Sequence, residues 1–514
     1  MKHVCTIITV AAAACALLCG CGGQKGLKAR KSYDIGEYDR AEKFLKSAAA
    51  GEKNKYLKSE YQFFLGECYR IKNQPKKAAG AYGRAIRYKY PDNIALLRMA
   101  DCYRAAADYP KAVEAYEQYL KIVGSSPIAE NGLASCRLAA READADAATY
   151  IISKEKAFSS KYSDYAPCFA SDDNYEIVYF TSMRTDKKAR RRNRVTGQGN
   201  SAILTSKIDG KGEWTEPEKL GEPFSSTFGD GTPSLTADGK TMFFTRCPYD
   251  PTKANTAEVY ESTRSGGRWS DPVRVVPGGD STMMVAHPAI APDGRTLYFV
   301  SDADGGIGGK DIYRTTRTES GWSPAENMGA IINTQGDEMF PFVRADGTLY
   351  FCSNGQVGYG GLDIFRVERA DDGSAPRVIN LGQPINSTGD DFGICFKGNA
   401  DEGLFSSSRA GTKGIDDIYS FVLQPVEVTL EGAVTLADGK PAKGAFVRIV
   451  SKSGINERIS PAADGSFALT LERDTEYILM AGAPGCFNSK VTFSTFDIRT
   501  SKTLTEKITL RKVE

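Results

Sequence analysis

EMFPFVRADGTLYFCS, residues 338–353, is the stretch on which the fold turns. An apolar segment carrying Pro341 runs into an Asp346-Gly347 turn and leaves it as an aromatic-rich strand, the pattern of a β-hairpin. The pattern recurs outward from there: YAPCFASDDN from Tyr165, DGTPSLTADG from Asp230, VAHPAIAPDG from Val285 and a degenerate DDFGICFKGN from Asp390. Pro167, Pro233, Pro288 and Pro341 are therefore equivalent, at successive spacings of 66, 55 and 53 residues. Such periods lie in and above the range of four-stranded propeller blades and far above that of helical solenoids.

Each copy continues as a second strand of alternating character: IVYFTS from Ile177, TMFFTR from Thr241, TLYFVS from Thr296, TLYFCS from Thr348 and GLFSSS from Gly403. The third strand is EVYEST from Glu258, DIYRTT from Asp311, DIFRVE from Asp363 or DIYSFV from Asp417. Trp214, Trp269 and Trp322, each followed within a few residues by Pro217, Pro272 or Pro324, introduce the fourth. Together these repeats resemble the WD40-like propeller of the TolB type. The resemblance implies that Asp311, Asp363 and Asp417 hold the blades by bonding backbone amides. The fifth copy lacks an evident fourth strand, and YIISKEKAFSS from Tyr150 is similar to VINLGQPINS from Val378, which closes blade four. The expectation is five blades with the N-terminal segment completing the last; six is the alternative if residues 150–160 belong elsewhere.

Residues 26–150 hold almost no proline, and a shift of 34 superposes Tyr69 on Tyr103, Ala78 on Ala112 and Tyr82 on Tyr116. With the Leu65-Gly66 pair, these positions match the tetratricopeptide pattern. An earlier copy places Ala41 and Leu45 in its second helix, and a lone final helix over residues 128–146 caps the stack. Cys68, Cys102 and Cys136 share the spacing of 34, which puts them too far apart for disulfides and makes them small core residues. Pairing among Cys168, Cys247, Cys352, Cys395 and Cys486 stays open.

From Val426, short strands alternate with turns, as in a small β-sandwich. The order Gly432, Asp438-Gly439, Pro441, Ala445, Val447, Asp464-Gly465-Ser466-Phe467, Tyr477 and Gly485 resembles the carboxypeptidase regulatory-like domain. No peptidase follows, because a carboxypeptidase zinc site needs histidines and this module has none.

Lys2 precedes an apolar run ending in Leu18-Cys19-Gly20-Cys21, too short to span a bilayer. It resembles a bacterial lipobox, which implies lipidation of Cys21; a plain secretory signal is the alternative. Lipid chains there would anchor a soluble body durably. The expected organisation is a signal over 1–20, a lipidated linker over 21–26, a tetratricopeptide solenoid over 27–148, a propeller over 149–424 and a sandwich over 425–514. The fold class is multidomain, α plus all-β.

A net charge of +2 supplies no global field, so nucleic acid is not an expected partner. The one strong local charge run is Lys187, Lys188, Arg190, Arg191, Arg192 and Arg194, an insertion in blade one suited to anionic lipid or an acidic partner, or else a solvated loop. Asp302 and Asp304 offer oxygen ligands for calcium but equally make an ordinary turn. No cofactor or metal is expected. Only His3 and His287 are present, which excludes two-histidine metal sites and weakens Ser-His and Cys-His schemes. Propeller carboxylates leave glycoside hydrolysis as a reading, without a particular pair.

The order lipobox, tetratricopeptide stack, TolB-like propeller and regulatory-like sandwich is similar to lipoproteins of Bacteroidota that continue into an OmpA-like domain, including the PorE-type component of type IX secretion. That resemblance implies a non-enzymatic scaffold on the periplasmic side of the outer membrane, with envelope proteins as partners. No OmpA-like domain follows the sandwich here, so peptidoglycan binding is not among the expectations. A glycan- or peptide-binding propeller is the second reading.

Overall fold

Helices α1 (Cys21–Asp34), α2 (Tyr38–Gly51), α3 (Lys55–Ile71), α4 (Pro75–Arg87), α5 (Ile94–Ala105), α6 (Tyr109–Val123) and α7 (Pro127–Glu142) pack in sequence as antiparallel pairs. The structure, a computed structural model, describes residues 21–142, 150–171, 174–184, 193–224, 228–248, 256–369, 375–423, 427–452, 454–473, 475–496, 498 and 501–513. Local chemistry sets the helix starts: the Asn54 side chain accepts from the amides of Tyr56 and Leu57, and proline opens α4 and α6, where an amide has no helical partner. Ala78 and Ala112 are fully buried at the helix crossings, and Cys68, Cys102 and Cys136 are free, buried thiols, as their spacing requires. Gly66 lets Tyr82 lie against α3, because a Cβ there would sit 2.6 Å from the Tyr82 ring. Residues 21–26, expected as a linker, are instead the first turns of α1. Gly26 explains the difference: a Cβ at that position would fall 2.2 Å from Tyr61 Oη, so the bare backbone allows α1 to lie on α3.

Five antiparallel sheets follow. Blade 1 is Asp164–Ser171, Asn174–Ser182, Ala202–Lys207 and Glu218–Lys219; blade 2 is Gly229–Leu235, Thr241–Cys247, Glu258–Ser265 and Val273–Arg274. Blade 3 is Ala286–Ile290, Thr296–Ser301, Asp311–Thr318 and Glu326–Asn327, and blade 4 is Glu338–Val343, Leu349–Ser353, Asp363–Glu368 and Arg377–Asn380. Blade 5 takes Asp391–Phe396, Glu402–Ser407 and Asp417–Leu423 from one part of the chain and its outer strand, Tyr150–Lys154, from another. Each blade contacts the next, and blade 5 contacts blade 1, so the ring is closed with five blades. The strap is held by the Glu155 amide on the Ile418 carbonyl (3.0 Å) and by Lys154 on the buried Asp417 carboxylate (2.5 Å). The Asp-Gly pairs at Gly239, Gly294 and Gly347 turn the inner hairpins with positive φ, which glycine adopts without strain.

A second regularity runs around the axis. Ala166, Thr232, His287, Phe340 and Gly393 occupy the same position of the innermost strand, and all five have φ between +47° and +60°. Each sits at a bulge that breaks the register of that strand with its neighbour. A side chain of the preceding blade's second strand accepts the left-handed residue's amide: Thr181 for Thr232 (2.7 Å), Thr245 for His287 (2.9 Å) and Ser406 for Ala166 (2.8 Å). Cys352 does the same for Gly393 through its sulfur. Blade 3 departs, since Val300 fills the slot there and carries no acceptor. These bonds tie blade to blade and offset the cost of an unfavourable backbone.

Helices and propeller form one compact unit, where the sequence suggested two domains. The C-terminal module is the other. Its three-stranded sheet (Ser466–Leu471, Val428–Leu436, Lys502–Leu510) and four-stranded sheet (Asn456–Ile459, Phe446–Ser451, Glu476–Gly482, Ser489–Ser494) enclose Val428, Leu430, Val447, Tyr477, Leu479 and Ile508. The last strand pairs in parallel with Val428–Leu436, and the Tyr477 hydroxyl accepts from the Glu472 amide at 2.7 Å, pinning the turn before its own strand.

Candidate functional site

Side chains of α5 and α7 reach the loops of the propeller. Arg104 of α5 is 4% exposed; its guanidinium bonds the carbonyls of Gly360 and Asn354 in blade 4 and the Tyr116 hydroxyl (3.3 Å). From α7, the Asn131 side chain donates to the Gly355 carbonyl (2.8 Å), and the Ser135 hydroxyl accepts from the Gly358 amide (3.0 Å). The receiving loop, Val357-Gly358-Tyr359-Gly360-Gly361, is glycine-rich for a steric reason. A Cβ on Gly360 would lie 2.0 Å from the Gly389 carbonyl oxygen, so the loop can press on the next blade only without side chains. Asp363 anchors it by accepting from the amides of Tyr359 (2.9 Å) and Gly360 (3.1 Å), and Asp311 does so in blade 3 for Ile307 and Gly308. These aspartates do hold the blades. Burial raises the Asp337 carboxyl, yet Lys310 of its own blade region and Arg70 and Arg98 of the solenoid outweigh it and hold the group below the usual range.

Beneath the turn between α3 and α4, formed by Ile71, Lys72 and Asn73, the channel widens into a chamber of about 280 Å³. Its floor is aromatic. The His287 and Phe340 rings stack at 4.0 Å between centroids, Phe340 meets Phe392 at 4.7 Å, and Tyr165 lies 6.1 Å from Phe392. On the far side of this waist a narrower space is lined by the four repeat prolines. Burial pushes the imidazole of His287 down to about 3, so it is neutral at ordinary pH, and its Nδ1 has no hydrogen-bond partner. The histidine is thus a channel-lining residue.

Two carboxylates face the chamber from its rim. Asp390 accepts from the Leu362 amide (2.9 Å), and burial raises it. Asp416 takes a hydrogen bond from Ser163, and burial, reinforced by Asp390, Asp417 and Asp164, pushes it up to about 7. Four other acids near the axis are held by partners. Asp164 pairs with Arg184 and Ser182, Asp230 with Arg246, Asp391 with Arg409 and Ser407, and Glu338 with Ser353 and the Thr334 amide.

Of the basic run in blade 1, Lys187, Lys188, Arg190, Arg191 and Arg192 lie outside the described residues. Arg194 meets the solenoid: its guanidinium pairs with Glu37 at 3.0 Å, and its carbonyl accepts from the Asp39 amide. Of Cys21 only the backbone is described, as the first residue of α1. Among the described residues no group of three or more His, Cys, Asp or Glu is placed to hold a metal, and no helix is long and apolar enough to cross a membrane. The sequence reading missed the chamber and the docked loop; the signals were the glycine run before Asp363 and an arginine at the end of α5.

The tetratricopeptide repeat family matches residues 95–125. No curated protein sequence matches the chain. Among solved structures, the MamA protein is 22% identical with a TM-score of 0.20 over 21% of this chain, which spans 58% of that one. The Sgt2 tetratricopeptide domain from Aspergillus fumigatus is 22% identical, TM-score 0.21, over 24% of this chain and 81% of its own. The Bacteroides ovatus xyloglucan-locus protein GH43B is 13% identical, TM-score 0.30, over 67% of this chain and 92% of its own.

Proposed function

We propose that this chain is a non-enzymatic protein-interaction scaffold of the bacterial envelope, anchored by lipid on Cys21 at the periplasmic side of the outer membrane, with type IX secretion and gliding as its setting. The observation that supports it best is the use made of the ionisable groups. Asp164, Asp230, Glu338 and Asp391, at the entry of four innermost strands, are tied to serine, arginine or backbone amides, and the single channel histidine is half-buried and neutral. Meanwhile the tetratricopeptide stack and propeller are bonded into one body, which is how a platform keeps its binding surfaces in fixed relation. The setting rests on the lipobox and the order of modules. Crosslinking in intact cells followed by recovery of the chain tests the reading: envelope proteins are expected, and Cys21→Ser is expected to release the chain from the membrane fraction. Recovery without any envelope protein, or membrane retention of Cys21→Ser, overturns it.

A second reading, a propeller that binds a small ligand, is favoured by the chamber with its two carboxylates.

A further inference from the structure

We propose that the chamber between the solenoid and the propeller waist is a binding site for a small organic ammonium ion. The site combines the two features such a cation needs. Tyr165, Phe340 and Phe392 line it with aromatic rings, and the face of such a ring attracts a cation. Asp390 and Asp416 stand at its rim, and among the described residues neither makes an ion pair, whereas Asp164, Asp391 and Asp417 have Arg184, Arg409 and Lys154.

The other charges around the chamber are accounted for. Lys72, at its roof, is bound by Asp39 (2.5 Å) and Glu42 (2.8 Å), so its charge is answered before it reaches the chamber. Arg104 acts on Asp390 only at longer range, its guanidinium being directed to the blade-4 carbonyls. His287 is neutral, and the Tyr165 hydroxyl is pushed far above its usual range by burial. A neutral sugar would leave the two half-buried carboxyls of the rim without an ionic partner. An ammonium group supplies it, and its arrival ionises Asp416, whose proton leaves to solvent. The chamber volume of about 280 Å³ admits a group of a few carbons around the nitrogen.

Calorimetric titration of the full chain with n-butylammonium and tetramethylammonium chloride tests this, with n-pentanol as the uncharged analogue. The carboxyl near 7 makes binding about tenfold tighter at about pH 8 than at about pH 6, with close to one proton released on binding at about pH 6 and only about a tenth of one at about pH 8, counted from two buffers of different ionisation enthalpy. Asp416→Asn is expected to weaken binding about tenfold or more at the higher pH and to remove its pH dependence. Should that variant fail to fold, the proton count on the unaltered chain carries the test. Equal binding of n-pentanol, ammonium binding without proton release at about pH 6, a folded Asp416→Asn that binds like the parent, absence of any ammonium binding at millimolar concentration, or a neutral monosaccharide binding in its place overturns the proposal. None of these outcomes bears on recovery of envelope partners, so scaffold and ligand site fail separately.

Discussion

Three raised carboxyls, those of the buried Asp363 and Glu338 and the half-buried Asp416, set how stability depends on pH. Burial, joined by the neighbouring Asp391 charge, pushes Asp363 up to about 8; burial likewise pushes Asp416 and Glu338 up to about 7, against hydrogen bonds that favour their charged forms. Unfolded, such groups titrate near their ordinary values of about 4. Between that value and 7 to 8 the folded chain therefore holds protons that the unfolded chain has lost. Their contribution is fully present below the unfolded value and disappears as pH climbs through the folded one, with a slope of about 1.4 kcal/mol per pH unit for each retained proton. The depressed acids Asp39, Glu42, Glu67 and Asp337 act oppositely at lower pH, as each takes up its proton, and His287, pushed down to about 3, opposes the three carboxyls below its unfolded value of about 6.5 with a single proton, which they outnumber. Denaturant titrations should thus show the helix-propeller unit more stable near about pH 5.5 than near about pH 8, and Asp363→Asn should flatten the slope. A stability that rises from the lower to the higher pH contradicts the assignment.

Among elements, the outer strand of blade 5 decides whether the ring stays shut. Lys154 is the cationic partner of the buried Asp417, whose Oδ2 also accepts the Lys413 amide while its Oδ1 has no hydrogen-bond partner. Replacing the lysine by an apolar side chain of similar length leaves that charge buried with only an amide, at a cost of about 3 to 5 kcal/mol. Lys154→Met should lower the unfolding midpoint accordingly, while Lys156→Met, beyond the end of the Tyr150–Lys154 strand, should leave it nearly unchanged. This strap was legible in the sequence, because a missing fourth strand in one copy and a surplus one upstream are both local facts of pattern. Hairpin turns and blade number were legible for the same reason. The left-handed ring was not: the prolines that follow Ala166, Thr232, His287 and Phe340 mark those positions as equivalent, but residues of such unlike chemistry, with Gly393 as the fifth, give no sign that they share a positive φ. Their partners gave a faint signal, since Thr181, Thr245 and Ser406 repeat a hydroxyl in one slot of the second strand.

For the whole molecule the decisive feature is that a stack of helices and a ring of sheets, each able to bury its own core, behave as one body. Sequence pattern identified both folds and could not join them, because the joint is made mostly of backbone carbonyls in a glycine-rich loop, which leave no trace in residue type. Beside the Asn131 and Ser135 side chains and the Arg194–Glu37 ion pair, Arg104 is the buried cation of the joint: its guanidinium answers the Gly360 and Asn354 carbonyls and lies near Asp363, with Tyr116 behind it. Arg104→Leu keeps the aliphatic bulk and removes every one of those bonds, leaving two carbonyls and an acid without their cation, a loss of about 3 kcal/mol or more. Because that loss falls at the boundary between solenoid and propeller, it should separate them energetically. Calorimetry of the unaltered chain is expected to show the helices and the propeller melting together, and Arg104→Leu should split that transition, with helical circular dichroism lost at the lower temperature and the sheet signal at the higher. A variant that merely shifts a single joint transition downward would mean that the helices depend on the ring for more than this contact, and a variant with an unshifted transition would mean that the contact contributes nothing to holding them together.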